Sequence, residues 1–249
     1  MIASSVAKTL WKVVMVEAAQ RRRHGDATLE QIHVISKSPD ELAFIVKHRL
    51  DFDSQNGAST QMTTHDIDNT LKATGAGISR QPVGGGATVK DHRRIDSGSS
   101  FEPRTFKLGQ YTTVVIHVCD IVKLHVDAIV SPDNGHLQHA DGLAKYIYDE
   151  AGSAMMDFLT EIILYRRFLE VSEVVQTPPG KLPCRLVLHA VGPRWPNTEQ
   201  ASDTVYCLMQ LKRTFDNVFQ VARQNDVTSI AIPPIGTGKY YHHHLLNPA

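Results

Sequence analysis

The stretch VDAIVSPDNGHLQHADGLAKYIYDEA, residues 126–151, carries the pattern of a strand, a loop and a helix. Residues 126–130 form a short, mostly aliphatic run that is typical of a buried strand. From about Gly142 onward, apolar side chains recur on one helical face, at Leu143, Ala144, Ile147 and Ala151. In α/β proteins ligands lie at the carboxyl ends of the strands. The loop that follows residue 130 is therefore a candidate binding loop.

Strands and helices continue to alternate around this stretch, from Tyr111 onward. Further strands are predicted at residues 113–118, 173–176, 185–189 and 227–233, and further helices at about 155–168 and 205–222. Alternation of this kind predicts an α/β layered fold with a largely parallel or mixed sheet. His189 lies within an apolar strand and is interpreted as a core histidine rather than a catalytic base.

The first 50 residues read as helix, strand, helix. Helical spacing runs from Ser4 to about Arg23, a short strand follows at residues 29–35, and Ser38-Pro39 begins a second helix. A unit this small cannot bury its own apolar faces, so it needs a partner. Residues 51–110 are rich in Ser, Thr, Asn, Asp and Gly, which predicts a flexible linker.

Composition excludes several classes of protein. The chain has 249 residues with 26 basic and 26 acidic side chains, and a zero net charge argues against a general nucleic-acid-binding surface. The three cysteines (Cys119, Cys184 and Cys207) are far apart, which argues against a disulfide framework or a four-cysteine zinc site. No run of 18 apolar residues and no signal-peptide pattern occurs. We therefore expect a soluble intracellular protein with no membrane partner.

Two loops after predicted strands contain small residues. One includes Ala140-Asp141-Gly142 and the other Ile235-Gly236-Thr237-Gly238. Their backbone N–H groups could point at an anion, helped by the positive end of the helix near Gly142; equally, glycines simply make turns. The Walker A pattern is excluded, because Pro233 and Tyr240 occupy two of its required positions around Gly238-Lys239.

The motifs of the chain resemble the macrodomain family over about residues 111–241. The resemblance is carried by residues 126–130, Asn134, Leu137, Gly142, Ala144, Thr177, 180–183, 188–195, 230–233 and 236–238, in the family's order and spacing. The chain is most similar to the tandem macrodomains of large mono-ADP-ribosyltransferases in the poly(ADP-ribose) polymerase superfamily. This resemblance implies a three-layer α-β-α fold with a mixed sheet.

The resemblance also implies a binding site for ADP-ribose, with no metal and no other cofactor. Asp120, beside Ile121, matches the acid that accepts a hydrogen bond from the adenine amino group, and Asn134 matches the asparagine that contacts the distal ribose. The two diphosphate loops correspond to Ala140, Asp141 and Gly142, and to Gly236, Thr237, Gly238, Lys239 and Tyr240.

Two departures from the family pattern concern this site. The family reads Asn-Ala-Ala-Asn where this chain has Ser131-Pro132-Asp133-Asn134, and it has three glycines at the position of Ala140-Asp141-Gly142. A carboxylate 4 Å from a diphosphate charge is repelled by about 1 kcal/mol in water. The sequence therefore predicts weakened binding unless Asp141 points away from the ligand.

The end of the chain also departs from the family pattern. After Gly238 the family continues through a helix, a strand and a closing helix, whereas this chain stops at Ala249 and is expected to be C-terminally truncated. Residues 1–50 have the order of that closing unit. Either they are the tail of a preceding macrodomain, followed by the linker and an incomplete macrodomain over residues 111–249, or they fold back and complete that domain. Folding back would place Ile35-Ser36 near the adenine.

The function implied by the resemblance is that of a reader of ADP-ribose, free or on mono-ADP-ribosylated proteins. The reader is expected to be part of a larger ADP-ribosyltransferase-like protein of the cytoplasm or nucleus, and no transferase catalytic domain is visible in the chain. One alternative is an ADP-ribosyl hydrolase, in which Asn134 orients the ribose for attack by water. Another is a degenerate macrodomain that serves as a protein-interaction scaffold.

Overall fold

The computed structural model describes residues 8–14, 29–36, 42, 45–46, 103–108, 112–138, 141–195 and 201–237. Ala140, Gly238, Lys239 and Tyr240 lie outside the described residues, as does most of the predicted linker.

The described elements follow the predicted alternation of strands and helices. Residues 8–14 are helical, and a 3-10 turn occupies Ile121–Lys123. The strands are β1 (Gln31–Ile35), β2 (Arg104–Leu108), β3 (Thr112–His117), β4 (Ala128–Asp133), β5 (Val174–Thr177), β6 (Leu186–Val191) and β7 (Ser229–Ile232). The longer helices after β4 are α1 (Gly142–Ala151), α2 (Ser153–Arg166) and α3 (Ala201–Gln224). Within the described residues, no helix is long and apolar enough to span a membrane.

The strands form one mixed sheet of seven, in the order β2-β3-β1-β7-β4-β6-β5. The five inner strands are parallel, and the two edge strands, β2 and β5, pair antiparallel with their neighbours. Because the inner strands are parallel, their carboxyl ends meet at one edge of the sheet.

Helices cover both faces of this sheet. On one face, Leu10 and Val14 of the N-terminal helix and Phe215 of α3 share a buried cluster with Ile32 and Ile230. The cluster on the other face contains apolar residues of α1, α2 and the opposite sides of the strands, among them Ile129, Ile147, Met155, Leu159 and Val187. The predicted three-layer α/β fold with a mixed sheet is confirmed.

Strand β1 is an inner strand of the sheet. It pairs in parallel with β3 on one side and with β7 on the other, and Ile32 and Val34 are buried. Of the two arrangements considered for residues 1–50, the structure has the one in which their strand enters the sheet of residues 111–249. The strand's own sequence could not select this arrangement, because its partners lie about 80 and 200 residues away.

The predicted linker ends earlier than its composition suggested. Residues 104–108 form β2, whose Phe106 and Leu108 are buried against the sheet. A five-residue edge strand with two buried apolar side chains has too little periodicity to stand out from the polar segment before it. Its register comes from pairing with β3, where Phe106 faces Val114.

Asp127 joins two strands at the edge opposite the carboxyl ends. Its carboxylate accepts hydrogen bonds from Thr228 N at 2.7 Å, Thr228 Oγ1 at 2.8 Å and Ser229 N at 3.1 Å. Burial acts to raise the pKa of Asp127, but these hydrogen bonds and the nearby Arg185 hold it below its ordinary value. This bonding explains an acidic residue at the start of an otherwise aliphatic strand.

Candidate functional site

The loops singled out in the sequence meet at the carboxyl edge of the sheet. Residues 118–120 follow β3, residues 134–138 follow β4, and residues 233–237 follow β7. These strands are parallel inner strands, so their following loops face the same side of the molecule. The edge is therefore the candidate binding site.

Asp120 lies at one end of this edge, just before the 3-10 turn. Its Oδ2 accepts a hydrogen bond from Tyr146 Oη at 2.8 Å and pairs with Lys123 Nζ at 3.1 Å. Its Oδ1 is buried and has no hydrogen-bond partner among the described residues. Burial acts to raise the pKa of Asp120, but the hydrogen bonds from Tyr146 and Lys123, the charge of Lys123 and a backbone hydrogen bond from Val122 outweigh burial and leave the pKa below its usual value. The group is an ionised carboxylate with one open acceptor oxygen.

Ile121 has a packing role at the same end. Its side chain is buried in the cluster that also contains Ile35, the last residue of β1. The carboxyl end of the N-terminal strand thus supports the turn that carries Asp120.

Tyr146 is a site residue that the sequence did not reveal. It lies on α1, 26 residues after the carboxylate to which it donates its hydroxyl proton. Burial and the bond to Asp120 raise the pKa of Tyr146 to about 12, so the hydroxyl stays protonated. A helical tyrosine has no local pattern that identifies so distant a partner.

Two buried histidines lie beside the Asp120 end. His33 of β1 and His117 of β3 contact each other, with Nδ1 of the first 3.2 Å from Nε2 of the second. Burial, and then the neighbouring His117, lower the pKa of His33 to about 4, and burial lowers that of His117 to about 4. Cys119 Sγ lies 3.8 Å from His117 Nε2, and burial followed by Asp120 raises the pKa of this thiol to about 12. All three groups are uncharged at neutral pH.

Asn134 uses its amide to shape its own loop. Its Oδ1 accepts hydrogen bonds from His136 N at 3.0 Å and Gln138 N at 3.2 Å, and its Nδ2 donates to Gln138 O at 2.7 Å. Leu137 adopts a left-handed conformation within this loop, with φ 51°. Asn134 is therefore first a structural residue of the loop that follows β4.

Three buried side chains beneath this loop are linked by hydrogen bonds. Asp133 Oδ2 is 2.8 Å from His189 Nδ1, and His189 Nε2 is 2.9 Å from Thr177 Oγ1. The side chains of Asp133 and His189 are 0% and 1% exposed. The interpretation of His189 as a hydrogen-bonded core histidine is confirmed. Asp133, one of the residues that differ from the family pattern, pairs with His189, and the sequence did not reveal this contact.

The first predicted diphosphate loop ends at the start of α1. Asp141 is the exposed N-cap residue with extended backbone, and Gly142 has φ 72°. A residue with a Cβ is strained at such a φ, which accounts for glycine there. A carboxylate at a helix N-terminus is stabilised by the helix dipole, so Asp141 partly neutralises the positive end of α1.

The second predicted loop is held by Trp195. The indole Nε1 donates a hydrogen bond to Gly236 O at 2.7 Å, and Gly236 has φ 86°. A Cβ at Gly236 would lie 3.2 Å from the same indole nitrogen, a close contact that adds to the conformational preference for glycine. Thr237 Oγ1 donates to Pro234 O at 2.7 Å.

No group of three or more His, Cys, Asp or Glu side chains that could hold a metal ion occurs in the part of the chain that the structure describes.

The chain is similar to a protein family and to several known proteins. Residues 130–243 match the family model described as Macro domain. The chain is 35% identical over 127 residues to the O-acetyl-ADP-ribose deacetylase of Escherichia coli K12, a match that covers 50% of this chain and 69% of that protein. It is also 35% identical over 121 residues to the O-acetyl-ADP-ribose deacetylase of Salmonella typhimurium, a match that covers 49% of this chain and 65% of that protein. The solved Oceanobacillus iheyensis macrodomain with ADP is 30% identical, with a TM-score of 0.47, over 53% of this chain and 68% of that chain.

Proposed function

Because this chain belongs to the macrodomain family, we propose that the carboxyl edge of its sheet binds ADP-ribose and that the protein recognises ADP-ribose, free or attached to mono-ADP-ribosylated proteins. The residues assigned to the ligand are Asp120, Ile121, Asn134, Ala140, Asp141, Gly142, Gly236, Thr237, Gly238, Lys239 and Tyr240.

The observation that carries this proposal is the open oxygen of Asp120. An ionised carboxylate whose Oδ1 is buried and unpartnered among the described residues is costly, because a buried acceptor without a donor keeps its full desolvation penalty. An adenine amino group is a planar N–H donor that can satisfy this oxygen. Tyr146 and Lys123 hold the other oxygen in place, so the acceptor is already oriented before a ligand arrives.

The two loops supply the neighbouring part of the site. The start of α1 and the Gly236-Thr237 loop both lie at the carboxyl edge, and the first backbone N–H groups of a helix have no intrahelical partner and can bind a diphosphate. Thr237 donates both its hydroxyl, at 2.7 Å, and its backbone N–H, at 3.4 Å, to Pro234 O, so these bonds fix the shape of the loop that would hold the diphosphate. Asp141 reduces the positive charge available to the diphosphate and lowers the affinity.

Calorimetric titration with ADP-ribose tests the proposal, with AMP as the shorter ligand. We expect ADP-ribose to bind more tightly than AMP, and Asp120→Ala to weaken both ligands by roughly tenfold to a hundredfold, since a hydrogen bond to a charged group contributes about 1.5–3 kcal/mol. Asp216→Ala, which removes an exposed carboxylate of α3 paired with Lys212, is the matched control and leaves binding unchanged.

Absence of binding by the folded wild-type chain at millimolar ligand would refute the proposal. The protein would then be treated as a degenerate macrodomain that acts as a scaffold. A thermal melt of each variant shows whether a lost signal reflects unfolding.

A second candidate function is hydrolysis of an ADP-ribosyl ester. It is favoured by the similarity to proteins named O-acetyl-ADP-ribose deacetylase. The reaction consumes one water and releases the acid and ADP-ribose. Incubation with O-acetyl-ADP-ribose, followed by separation of the products, tests it: turnover that is lost in Asn134→Ala and kept in Asp216→Ala would support an enzyme, and a stable complex without product would support a reader.

The wider context of the chain is also a proposal. Its similarity to tandem macrodomains suggests a module of a larger ADP-ribosyltransferase-like protein in the cytoplasm or nucleus. Size and domain mapping of the native protein in cell extracts, with an antibody against residues 201–224, would test this context.

A further inference from the structure

Beside the Asn134 loop, two aromatic rings form an exposed wall at the carboxyl edge of the sheet. We propose that this wall, His136 and Phe168, binds the peptide segment around an ADP-ribosylated side chain, so that the site prefers a modified protein to free ADP-ribose. The inference rests on the function proposed above, because it assumes that the ribose end of the ligand lies at Asn134.

Phe168 is exposed and yet fixed. The residue is 42% exposed, but the following residue, Leu169, donates its N–H to Gly135 O at 2.8 Å. A Cβ at Gly135 would lie 2.5 Å from Phe168 Cε2, so the ring sits directly against the backbone of the loop. An aromatic side chain held in this way loses little conformational freedom when a partner packs on it.

The backbone before Phe168 turns sharply to bring the ring to the loop. Helix α2 ends at Arg166, and Arg167 has φ 60°, a left-handed conformation that is strained for a residue with a side chain. The turn is closed by hydrogen bonds from Arg167 N to Ile163 O and from Phe168 N to Arg166 O, both 2.7 Å. The position of Phe168 is therefore a consequence of the fold rather than of a mobile side chain.

His136 completes the wall at an angle to Phe168. The two ring centroids are 5.0 Å apart with an interplanar angle of 62°, and the histidine is exposed. The backbone N–H of His136 is bonded to Asn134 Oδ1, which ties the ring to the residue assigned to the distal ribose. Together the rings offer an apolar surface and a polar imidazole edge, which suits an apolar side chain next to a peptide amide.

The location of the wall selects the occupant. Free ADP-ribose ends at its distal ribose, whereas in a modified protein the attached side chain continues from that ribose; with the ribose at Asn134, as proposed, the neighbouring His136 lies next to this continuation. A wall at this point contributes to the binding of the attached peptide and leaves the binding of the nucleotide unchanged.

The test compares two ligands on the full chain. One is ADP-ribose, and the other is a peptide that carries ADP-ribose through a non-hydrolysable linkage, with leucine residues on both sides of the modified position. We expect the wild type to bind the peptide about tenfold more tightly than ADP-ribose, and Phe168→Ala to remove roughly that advantage with ADP-ribose affinity kept within about twofold.

Two further variants make the test specific. His136→Ala removes the second ring and should reduce peptide affinity by a smaller factor, about threefold. Phe158→Ala is the matched control, since Phe158 is another phenylalanine, 45% exposed on α2, and its loss should change neither affinity.

The outcomes separate this inference from the proposed function. Equal affinity of the wild type for both ligands, or an equal loss for both ligands in Phe168→Ala, would overturn the wall while binding of ADP-ribose still stands. Failure of the wild type to bind either ligand would overturn both. Selective loss of peptide affinity in Phe168→Ala, with both affinities unchanged in Phe158→Ala, would establish that the wall binds the peptide.

Discussion

The Asp120 end and the Asn134 end of the carboxyl edge are prepared for a ligand in different ways. Asp120 keeps one carboxylate oxygen without a hydrogen-bond partner among the described residues. Asn134 uses both atoms of its amide group within its own loop. The first end thus holds a preformed acceptor, and the second holds a preformed loop. Base recognition is expected to depend on one side chain, and ribose recognition on the shape of a backbone.

The buried histidines beneath the two ends have different partners. His33 and His117 contact each other, and both are neutral because burial lowers their pKa values. His189 instead lies against the carboxylate of Asp133. Burial of the first pair opposes protonation of its two imidazoles. Acid should therefore act on His33 and His117, whereas mutation of His189 should act on the hydrogen bonds beneath Asn134.

Acidification is the perturbation with the largest expected effect, and it acts on the Asp120 end. His33 and His117 have pKa values lowered from 6.5 to about 4, so the stability they contribute is complete above pH 6.5 and is lost as the pH falls toward 4. Each imidazole should lower the free energy of unfolding by about 2 kcal/mol at about pH 5, relative to neutral pH. Urea unfolding over this pH range measures the loss.

The matched variants for this prediction are His117→Gln and His125→Gln. The first should reduce the pH dependence by about half, because one buried imidazole is gone. The second removes an exposed histidine and should leave the dependence intact. An unchanged slope in His117→Gln would show that the pair does not control the acid response.

Removal of His189 is expected to have the next largest effect, at the Asn134 end. His189→Ala takes the imidazole away from the buried Asp133 carboxylate and leaves a cavity, and breaking a buried ionisable pair in this way costs about 3 kcal/mol. Denaturant unfolding at neutral pH measures this cost. His125→Ala again serves as the exposed control, and a cost below about 1 kcal/mol would mean that Asp133 and Thr177 do not depend on the imidazole.

Asn134→Ala should separate the two ends by ligand. The variant loses the bonds that close residues 134–138, so the affinity for ADP-ribose should fall by about tenfold. AMP lacks the distal ribose, so its affinity for Asn134→Ala should equal its affinity for the wild type. In Asp120→Ala, by contrast, the affinity for AMP should fall. Parallel titrations with both ligands measure the difference, and an equal loss for AMP would contradict a division of the site into two ends.

Trp195→Phe should have the smallest effect. It keeps an aromatic ring but removes the N–H that donates to Gly236 O. Loss of one neutral hydrogen bond of about 1 kcal/mol should weaken ADP-ribose about fivefold and AMP less, because the loop is assigned to the diphosphate. Titration of both ligands provides the measurement. Full retention of ADP-ribose affinity would show that the loop keeps its shape without the indole.

Much of the second half of the chain was predictable because its signals are local. The aliphatic run at residues 126–130, the helical stripe that follows Gly142 and the glycine at position 236 each reflect a constraint from near neighbours in sequence. Strands, helices and turns of this kind depend on periodicity and on backbone conformation. These signals located the strands and loops that form the carboxyl edge.

Four features were not predictable from local signals. They are the central place of β1, the strand at residues 104–108, the hydrogen bond from Tyr146 to Asp120 and the pairing of Asp133 with His189. Each depends on residues 26 or more positions apart or on the register of a neighbouring strand. The sequence by itself determined the alternating α/β pattern and the loops that resemble a macrodomain. Only the tertiary structure decided which strand completes the sheet and which oxygen stays open, because hydrogen bonding and burial between distant segments arise when the chain folds.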